Sequence, residues 1–444
     1  HFAFYSDLEE SAKELIKKAI SNGTQGIIFC SPESLVKSLL KSLMKSAEQG
    51  FIKNFVVDEA HLVVQWGDEF RPAFQTIAGL RLTLLAKSGE KEKFKTFLLT
   101  ATLSLLAYEL LKVLFAGIQN TYIINAKVLR HEPVYSFKKF NNKAEKFEKL
   151  FALFHKLPRP CIIYTTKEKD AVEISTKLRG FGYSRVECYT GKTSGLQRKQ
   201  ILSGWTTQKI DVVVATSAFG VGIDNKDVRC VVHVGLPETL DRYYQEVGRG
   251  GRDGRASISI LLFEDEDKVI ARNMAVPTYL EQENAFKRWR VMNDLKKIDD
   301  EGNLILNTYK ATPHTVKQET EYNQAWNQRT LTMMARAGLI KLLSFDLPVA
   351  DPGKFSNLED FENSRAEELA DFFASQKISI LDNRVNDPEY FEKKINASKS
   401  KSVKMHQLQY QLFDDYLELK ADIGDCLAEL YSYSGLDAPI DVIS

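Results

Sequence analysis

The chain has 444 residues, of which 44% are hydrophobic and 27% charged, a composition typical of a globular protein with room for two or three domains. Lys and Arg number 60 against 59 Asp and Glu, so the chain has no large excess of positive charge. Any nucleic-acid partner must therefore be held by local basic patches. No apolar run approaches the roughly 18 residues that a membrane span needs. Five cysteines without a C-x-x-C pair favour a reducing compartment.

Short apolar runs, each closed by polar or glycine residues, recur along roughly the first 265 positions, with amphipathic helical stretches between them. Continuous apolar strands separated by helices predict a parallel sheet that is covered on both faces. The strand-like runs are 26–30, 55–57, 97–99, 161–164, 212–214, 230–234 and 258–263. They form two sets, before and after about residue 130, joined by the Lys-rich segment 138–149. Two α/β lobes are therefore expected, with function at the C-terminal ends of their strands.

After about residue 268 the pattern becomes helical. The spacing of Tyr322, Trp326 and Met333 predicts a helix, Gly338 offers its C-cap, and a strand-like run follows at 339–345. A helix followed by a short β-ribbon is typical of a winged helix, and an ordinary helical subdomain fits equally well.

The last hundred residues divide into two parts. Residues 346–400 are charged and predict mainly loops, whereas apolar residues at every third or fourth position of 405–431 predict a packed helix or helical hairpin.

An acidic tetrapeptide, Asp58-Glu59-Ala60-His61, follows the apolar run 54–57. A buried strand that ends in two adjacent carboxylates can hold Mg²⁺ near the phosphates of a nucleotide through the first. The second can then orient or deprotonate the attacking water. Taken alone, an acidic pair at a strand end is more often a helix cap.

Two further motifs follow this tetrapeptide in the sequence. The run QWGDEFRP at 65–72 interleaves aromatic residues with Arg71, which suits stacking on exposed bases and contact with phosphate. A hydrophobic plug is the alternative. Thr100 and Thr102 follow the strand at 97–99 and could relay between the acidic tetrapeptide and the second lobe, although on their own they indicate only a strand-end turn.

The second lobe carries two glycine-rich segments. ATSAFGVGID at 215–224 follows a buried strand, and its glycines permit close approach to phosphate or sugar. QEVGRGGRDG at 245–254 places Arg249 and Arg252 three residues apart on a glycine-flanked turn. Such arginines can neutralise a γ-phosphate in the transition state, an effect of about 10³ to 10⁵ in rate. A surface basic turn is the alternative.

Together and in this order, these motifs and the Ser31-Pro32-Glu33 tripeptide resemble the RecQ-like helicases of superfamily 2, over about residues 20–265. The loop at 65–72 is what separates RecQ-like enzymes from DEAH-box RNA helicases. The resemblance implies an α/β fold of two RecA-like parallel-sheet lobes, the first incomplete, and a mainly helical region in which a winged helix is one interpretation. The expected domains are 1–130, 131–268, 269–346 and 347–444.

The resemblance also implies an ATP-dependent DNA helicase that moves 3′ to 5′, with ATP and Mg²⁺ as cofactors and single-stranded DNA and duplex junctions as partners. Asp58 would hold Mg²⁺ and Glu59 would activate water. The nucleotide site would be completed by His61, Gly222, Asp224, Gln245, Arg249 and Arg252. Contact with DNA, and its coupling to hydrolysis, would involve Gln65, Trp66, Phe70, Arg71, Thr100 and Thr102. The expected location is the cytoplasm, at the nucleoid, in a prokaryote and the nucleus in a eukaryote.

Two departures from the family pattern qualify these expectations. No phosphate-binding loop G-x-x-x-x-G-K-[ST] precedes the acidic tetrapeptide; Gly191-Lys192-Thr193 has Val186 where the first glycine belongs and follows the tetrapeptide. We therefore expect a fragment that lacks the start of its first lobe and is inactive as it stands. Only Cys426 lies beyond residue 230, so no structural zinc is expected. The alternatives are a catalytically inactive DNA-binding or regulatory module and a DEAH-type RNA helicase.

Overall fold

The computed structural model describes most of the chain. The described residues are 2–5, 8–65, 69–70, 72–89, 93–103, 105–115, 122–124, 129–220, 227–275, 281–313, 319–343, 364, 368, 370–372 and 374–431. Contacts group the chain into two units, one made of 1–122 with 277–404 and the other of 123–276 with 405–444. No helix within the described residues is long and apolar enough to cross a membrane.

The first unit begins with strands that pair two by two. The parallel pairs are β1 (Phe2–Phe4) with β2 (Ile28–Cys30) and β3 (Asn54–Val57) with β6 (Lys95–Leu98), and an antiparallel hairpin joins β4 (Val64–Gln65) to β5 (Glu69–Phe70). The helices are α1 (Glu10–Ser21), α2 (Pro32–Lys37), α3 (Leu40–Glu48), α4 (Pro72–Lys87) and α5 (Leu105–Phe115). Ser31 caps α2 by accepting a hydrogen bond from the Ser34 N–H at 3.2 Å, with Pro32 in the first turn.

One face of β3 and β6 is buried and the other is open. Phe55 and Val57 point into the core, whereas Val56 is 54% exposed and Phe97 of β6 is 44% exposed. The prediction of a sheet covered on both faces therefore fails for this pair of strands.

The second unit is built on a six-stranded parallel sheet, as the continuous apolar runs predict. Its strands are β7 (Pro133–Lys139), β8 (Cys161–Thr165), β9 (Val186–Tyr189), β10 (Val212–Ala215), β11 (Cys230–Val234) and β12 (Ser257–Phe263), in the order β7-β12-β11-β8-β10-β9. Its helices are α6 (Lys143–Phe154), α7 (Glu168–Gly180), α8 (Gly195–Thr206), α9 (Leu240–Val247) and α10 (Asp265–Ala275). Every residue of β8, β10 and β11 is buried, so this sheet is covered on both faces.

The prediction that 138–149 links the two lobes is wrong. This segment ends β7 and begins α6, which buries Phe147, Leu150 and Phe154 at helical spacing. Lys146 is buried and pairs with Glu264 at 2.9 Å and with Asp267. Lysine-rich composition suggested a solvated linker because it does not show which lysines face the core.

Residues 277–404 add an antiparallel sheet and several helices to the first unit. The elements are α11 (Gln282–Asp294), β13 (Lys297–Ile298), β14 (Leu304–Asn307), α12 (Glu321–Arg336), β15 (Ile340–Leu343) and β16 (Ser375–Ile380), with the strands in the order β13-β14-β16-β15. The predicted helix and strand are thus confirmed, and Gly338 separates them with a φ of +70°. The prediction of loops over 346–400 is wrong for β16 and for α13 (Pro388–Leu417).

The predicted C-terminal hairpin is confirmed and packs within the second unit. The end of α13 and the whole of α14 (Ile423–Leu430) bury Leu412, Phe413 and Leu427 in one cluster with Leu240 and Tyr243 of α9. The boundary at residue 405 splits the C-terminal quarter of the chain between the two units, while the four-domain division at 130, 268 and 346 stays a prediction.

A half-buried carboxylate joins α9 to this hairpin. Asp241 accepts a hydrogen bond from Gln409 Nε2 at 2.8 Å and another from the Tyr431 hydroxyl. Burial raises the pKa of Asp241 to about 6, although both hydrogen bonds favour the ionised form. Asp241 therefore binds its proton more tightly in the folded than in the unfolded chain. Its contribution to stability is fully present below about pH 4 and is lost as the pH rises through about 6.

Asp241→Asn is expected to raise the free energy of unfolding at pH 7.5 by about 1 kcal/mol or more, because the substituted amide carries no charge to bury. The Tyr431 hydroxyl can still donate to the asparagine oxygen. Thermal unfolding between pH 4 and 8 measures the effect, and Glu429→Gln, at an exposed position of the same hairpin, is the control. An equal fall in stability from pH 5 to pH 7 in both variants would contradict the assignment.

Candidate functional site

The ends of β3 and β6 bring the acidic tetrapeptide and the Thr100–Thr102 segment together. The two strands are parallel neighbours, so their C-terminal ends lie at the same edge. The pairing continues beyond them, because the Leu99 N–H donates to the Val57 carbonyl at 2.9 Å and the Ala60 N–H donates to the Leu99 carbonyl at 2.8 Å. Residues far apart in sequence thus form one cluster.

His61 connects the second carboxylate to the first threonine. Its Nδ1 lies 2.9 Å from Thr100 Oγ1 and 3.3 Å from Glu59 Oε2. The Thr100 hydroxyl donates its only proton to the Thr102 carbonyl at 2.5 Å, so it must accept from His61. His61 Nδ1 therefore carries a proton that Thr100 and Glu59 share, and this fixes the ring next to the carboxylate.

The backbone at the carboxylates is strained. Glu59 has a φ of +51°, in the left-handed region that a residue with a side chain rarely adopts. The Leu62 N–H donates to the Glu59 carbonyl at 2.9 Å, and Asp58 Oδ1 accepts from the Glu59 N–H at 2.9 Å. Strain of this kind is common at functional sites, where the surrounding structure holds it in place.

Asp58 is exposed and suited to a hard cation. Mg²⁺ commonly binds one or two carboxylates together with the phosphates of a nucleotide. Asp58 supplies one such carboxylate, and no group of three or more His, Cys, Asp or Glu residues in the described part of the chain could hold a metal ion by itself. The residues present thus fit a magnesium ion that the nucleotide brings with it.

The aromatic-rich run forms a hairpin beside this cluster. Gln65 of β4 pairs with Glu69 of β5, and Val64 pairs with Phe70, in antiparallel register. The predicted roles of Trp66 and Arg71 lie outside the described residues.

In the second unit, the two predicted arginines differ in their surroundings. Arg249 is only 8% exposed, whereas Arg252 is exposed and donates to the Gly248 carbonyl at 3.4 Å. The turn that carries them needs glycine at position 251, where φ is +65° and a Cβ would lie 2.6 Å from the Arg255 carbonyl oxygen. The turn therefore buries the side chain of Arg249 and leaves that of Arg252 at the surface.

A third arginine, which the sequence did not indicate, clamps this turn. Arg130 donates to the carbonyl of Gly248 at 2.6 Å and to that of Gly251 at 2.9 Å. It also pairs with Glu132 at 3.2 Å. Arg130 lies more than a hundred positions ahead of the turn, and no local motif marks it.

A buried network precedes the turn. Glu246 accepts from His233 Nε2 at 2.9 Å and from Arg242 Nε at 3.0 Å. Burial opposes ionisation of Glu246, but these hydrogen bonds and the nearby positive charges outweigh it and lower its pKa. Burial raises the pKa of Glu238, which lies 3.5 Å from Arg242. The network therefore contains one carboxylate that stays charged and one that protonates more readily.

Parts of the chain are similar to known helicases. Residues 142–254 match the model of the helicase conserved C-terminal domain. The chain is 30% identical to the RecQ-like DNA helicase blm-1 of Caenorhabditis elegans, over 61% of this chain and 27% of that protein. It is 28% identical to the ATP-dependent DNA helicase RecQ of Bacillus subtilis, over 67% of this chain and 49% of that protein.

Over more than half of its length, the chain is similar to helicases of the RecQ-like family.

The similarity covers part of each protein. The chain spans about a quarter of the Caenorhabditis relative and about half of the Bacillus one. Among solved structures, the DUF1998 helicase MrfA bound to DNA and AMPPNP aligns with a TM-score of 0.48 and 18% identity, over 61% of this chain and 39% of that one. The helicase Lhr of Mycobacterium smegmatis bound to ssDNA and AMP-PNP aligns with a TM-score of 0.48 and 16% identity, over 78% and 46%.

The predicted site residues outside the run at 65–72 fall into three groups. The first cluster contains Asp58, Glu59, His61, Thr100 and Thr102. On and after α9 lie Gln245, Arg249 and Arg252. Gly222 and Asp224 lie outside the described residues. The roles assigned to all of these residues stay predictions.

Proposed function

We propose that this chain is part of an ATP-dependent DNA helicase that couples hydrolysis of ATP to 3′-to-5′ unwinding of DNA. The observation that carries the proposal is the cluster in which His61 Nδ1 lies within 3.3 Å of the Glu59 carboxylate and 2.9 Å of Thr100. An oriented carboxylate beside a second one is what hydrolysis of a metal-bound nucleotide requires.

Each residue of the cluster has a distinct task in this proposal. Asp58 would hold Mg²⁺, which neutralises phosphate charge when it is bound. Glu59 would accept the proton of the attacking water, and the His61 N–H would keep its carboxylate oriented. Arg249 would present a guanidinium to the transferring phosphoryl group. DNA would reach this machinery through the hairpin at 65–70.

We further propose that a segment outside these 444 residues supplies the phosphate-binding loop. No G-x-x-x-x-G-K-[ST] sequence is present, and the open face of β3 and β6 supports the proposal independently. Parallel sheets are normally covered on both faces, as β8, β10 and β11 are. A strand and helix that cover Val56 and Phe97 would place a loop at the strand ends, beside Asp58.

The test is ATP turnover by the full-length gene product and by the 444-residue chain, each with and without single-stranded DNA. We expect DNA-stimulated turnover in the former and none in the latter. Single-stranded RNA, added in parallel, should stimulate poorly; stimulation by RNA alone would point to an RNA helicase. Displacement of a labelled strand from substrates with 3′ or 5′ tails measures polarity.

The absence of the phosphate-binding loop favours one second candidate, a binding module that holds DNA without hydrolysing ATP. Turnover by neither protein, with retained affinity for single-stranded DNA, would support this candidate and refute the helicase proposal. Sequencing the gene upstream of residue 1 adds a direct check, because a module of this kind needs no G-K-[ST] sequence there.

A further inference from the structure

One hydroxyl in the second unit binds the glycine-rich segment at 215–224 and lies near Arg249. Tyr164, on the central strand β8, is 3% exposed, and its hydroxyl donates to the Phe219 carbonyl at 2.7 Å. The Arg249 guanidinium lies near the same hydroxyl, and its positive charge opposes the effect of burial on the pKa of Tyr164. Burial raises the pKa of Tyr164 far above its ordinary value, so the hydroxyl stays protonated and can donate and accept at once.

The position of Tyr164 is set by the sheet. It pairs with Ala215 of β10 on one side and with His233 of β11 on the other. Its ring stacks on the His233 ring at 5.3 Å between centroids. A side chain held by two neighbouring strands is a rigid support for whatever its hydroxyl contacts.

Arg249 occupies a tight slot beside Tyr164. Its Nη2 would lie 3.4 Å from a Cβ built on Gly220, and its Nε is buried without a hydrogen-bond partner among the described residues. A buried guanidinium with an unused donor is costly to maintain. The protein therefore holds Arg249 in this orientation although its Nε–H has no hydrogen-bond acceptor among the described residues.

The turn beside Arg249 is held at a second point. Arg242 Nη2 donates to the Ser217 carbonyl at 3.1 Å, while Glu246 fixes Arg242 from the other side. Tyr164 and Arg242 thus hold the carbonyls of Phe219 and Ser217. Of these two side chains, Tyr164 also lies near Arg249.

We propose that Tyr164 is a positioning residue whose hydroxyl holds the Arg249 guanidinium and the turn at 216–220 in the arrangement needed for ATP hydrolysis. The inference rests on the proposed function, because it assumes that Arg249 acts on the phosphates of ATP. Tyr164 itself contacts no reacting atom; it acts through Arg249.

The first test is Tyr164→Phe in the full-length gene product, assayed with ATP and single-stranded DNA. This change keeps the ring stack and removes only the hydroxyl. We expect kcat to fall about ten-fold or more, as for loss of one hydrogen bond to a charged group, while KM for ATP and DNA affinity stay within about two-fold. Tyr243→Phe, which removes an equally buried hydroxyl that lies 3.2 Å from Ser259 Oγ, should leave kcat unchanged.

The second test places Tyr164→Phe in an Arg249→Met background, where the guanidinium is absent. A residue that acts through Arg249 should then have no further effect on kcat. The same fold loss in both backgrounds, or an unchanged kcat in the single variant, would overturn the inference.

Thermal unfolding of the 444-residue chain separates this inference from the proposed function, because it needs no turnover. The Tm shifts of Tyr164→Phe and Arg249→Met should be non-additive, and those of Tyr243→Phe and Arg249→Met additive. Additive shifts for the first pair would overturn the inference whatever the activity. Non-additive shifts in a protein whose full-length form hydrolyses no ATP would leave the contact standing and overturn both the proposed function and the positioning role.

Discussion

Glu59→Gln is expected to lower DNA-stimulated ATP turnover by the full-length gene product by about 10² to 10⁴, the range that a general base contributes. The amide cannot take a proton from water, yet it matches the carboxylate in size and can still accept from His61 Nδ1. Binding of ATP and of single-stranded DNA should be unchanged, because neither depends on proton transfer. Steady-state turnover and fluorescence anisotropy with labelled DNA measure the two properties separately.

The control for this prediction is Glu14→Gln, on α1, where the carboxylate is exposed and pairs with Lys17 at 2.7 Å. It should retain turnover, since exposed pairs of this kind contribute little to stability. Turnover within two-fold of the unmodified protein in Glu59→Gln would refute the assignment of the base. Loss of DNA binding together with turnover would show instead that the substitution disturbs the strained backbone at position 59.

The fold of the second lobe could be predicted from the sequence because its strands are apolar without interruption. β8, β10 and β11 are buried on both faces. Each of these strands is therefore a continuous apolar run that can be recognised in the sequence. β7 and β9 were missed because each carries several polar residues: Ser136 and the lysines at the end of β7, and Glu187 in β9. Their place in the sheet depends on pairing with β12 and β10, which a local pattern does not show.

The candidate site could be predicted where its residues are adjacent in the sequence. It could not be predicted where strand pairing brings distant residues together. Asp58 and Glu59 stand out beside a strand. Tyr164, by contrast, is one apolar residue within a buried run, and only the register of β8 against β10 and β11 brings it to the turn. Arg130 and Arg242 are likewise ordinary surface-type residues in the sequence, and their partners are backbone carbonyls, which carry no sequence signature.

The two predicted arginines should now be separable by experiment. Arg249 is buried beside Tyr164, whereas Arg252 is exposed, so a low-dielectric setting strengthens the electrostatic effect of Arg249 alone. The sequence placed the two residues three apart and could not rank them.

Arg249→Lys is therefore expected to lower kcat for ATP by about 10³ or more, the lower end of what an arginine finger supplies. Lysine keeps the charge but loses the planar fork, so it meets the phosphate as a point charge and without the two parallel N–H groups of a guanidinium. Arg252→Lys, the matched change at the exposed position, should cost about ten-fold or less. Steady-state turnover with saturating ATP and single-stranded DNA measures both, and an equal loss in the two variants would refute the ranking by burial. A loss in Arg249→Lys accompanied by a large fall in Tm would assign the arginine to stability rather than to the phosphate.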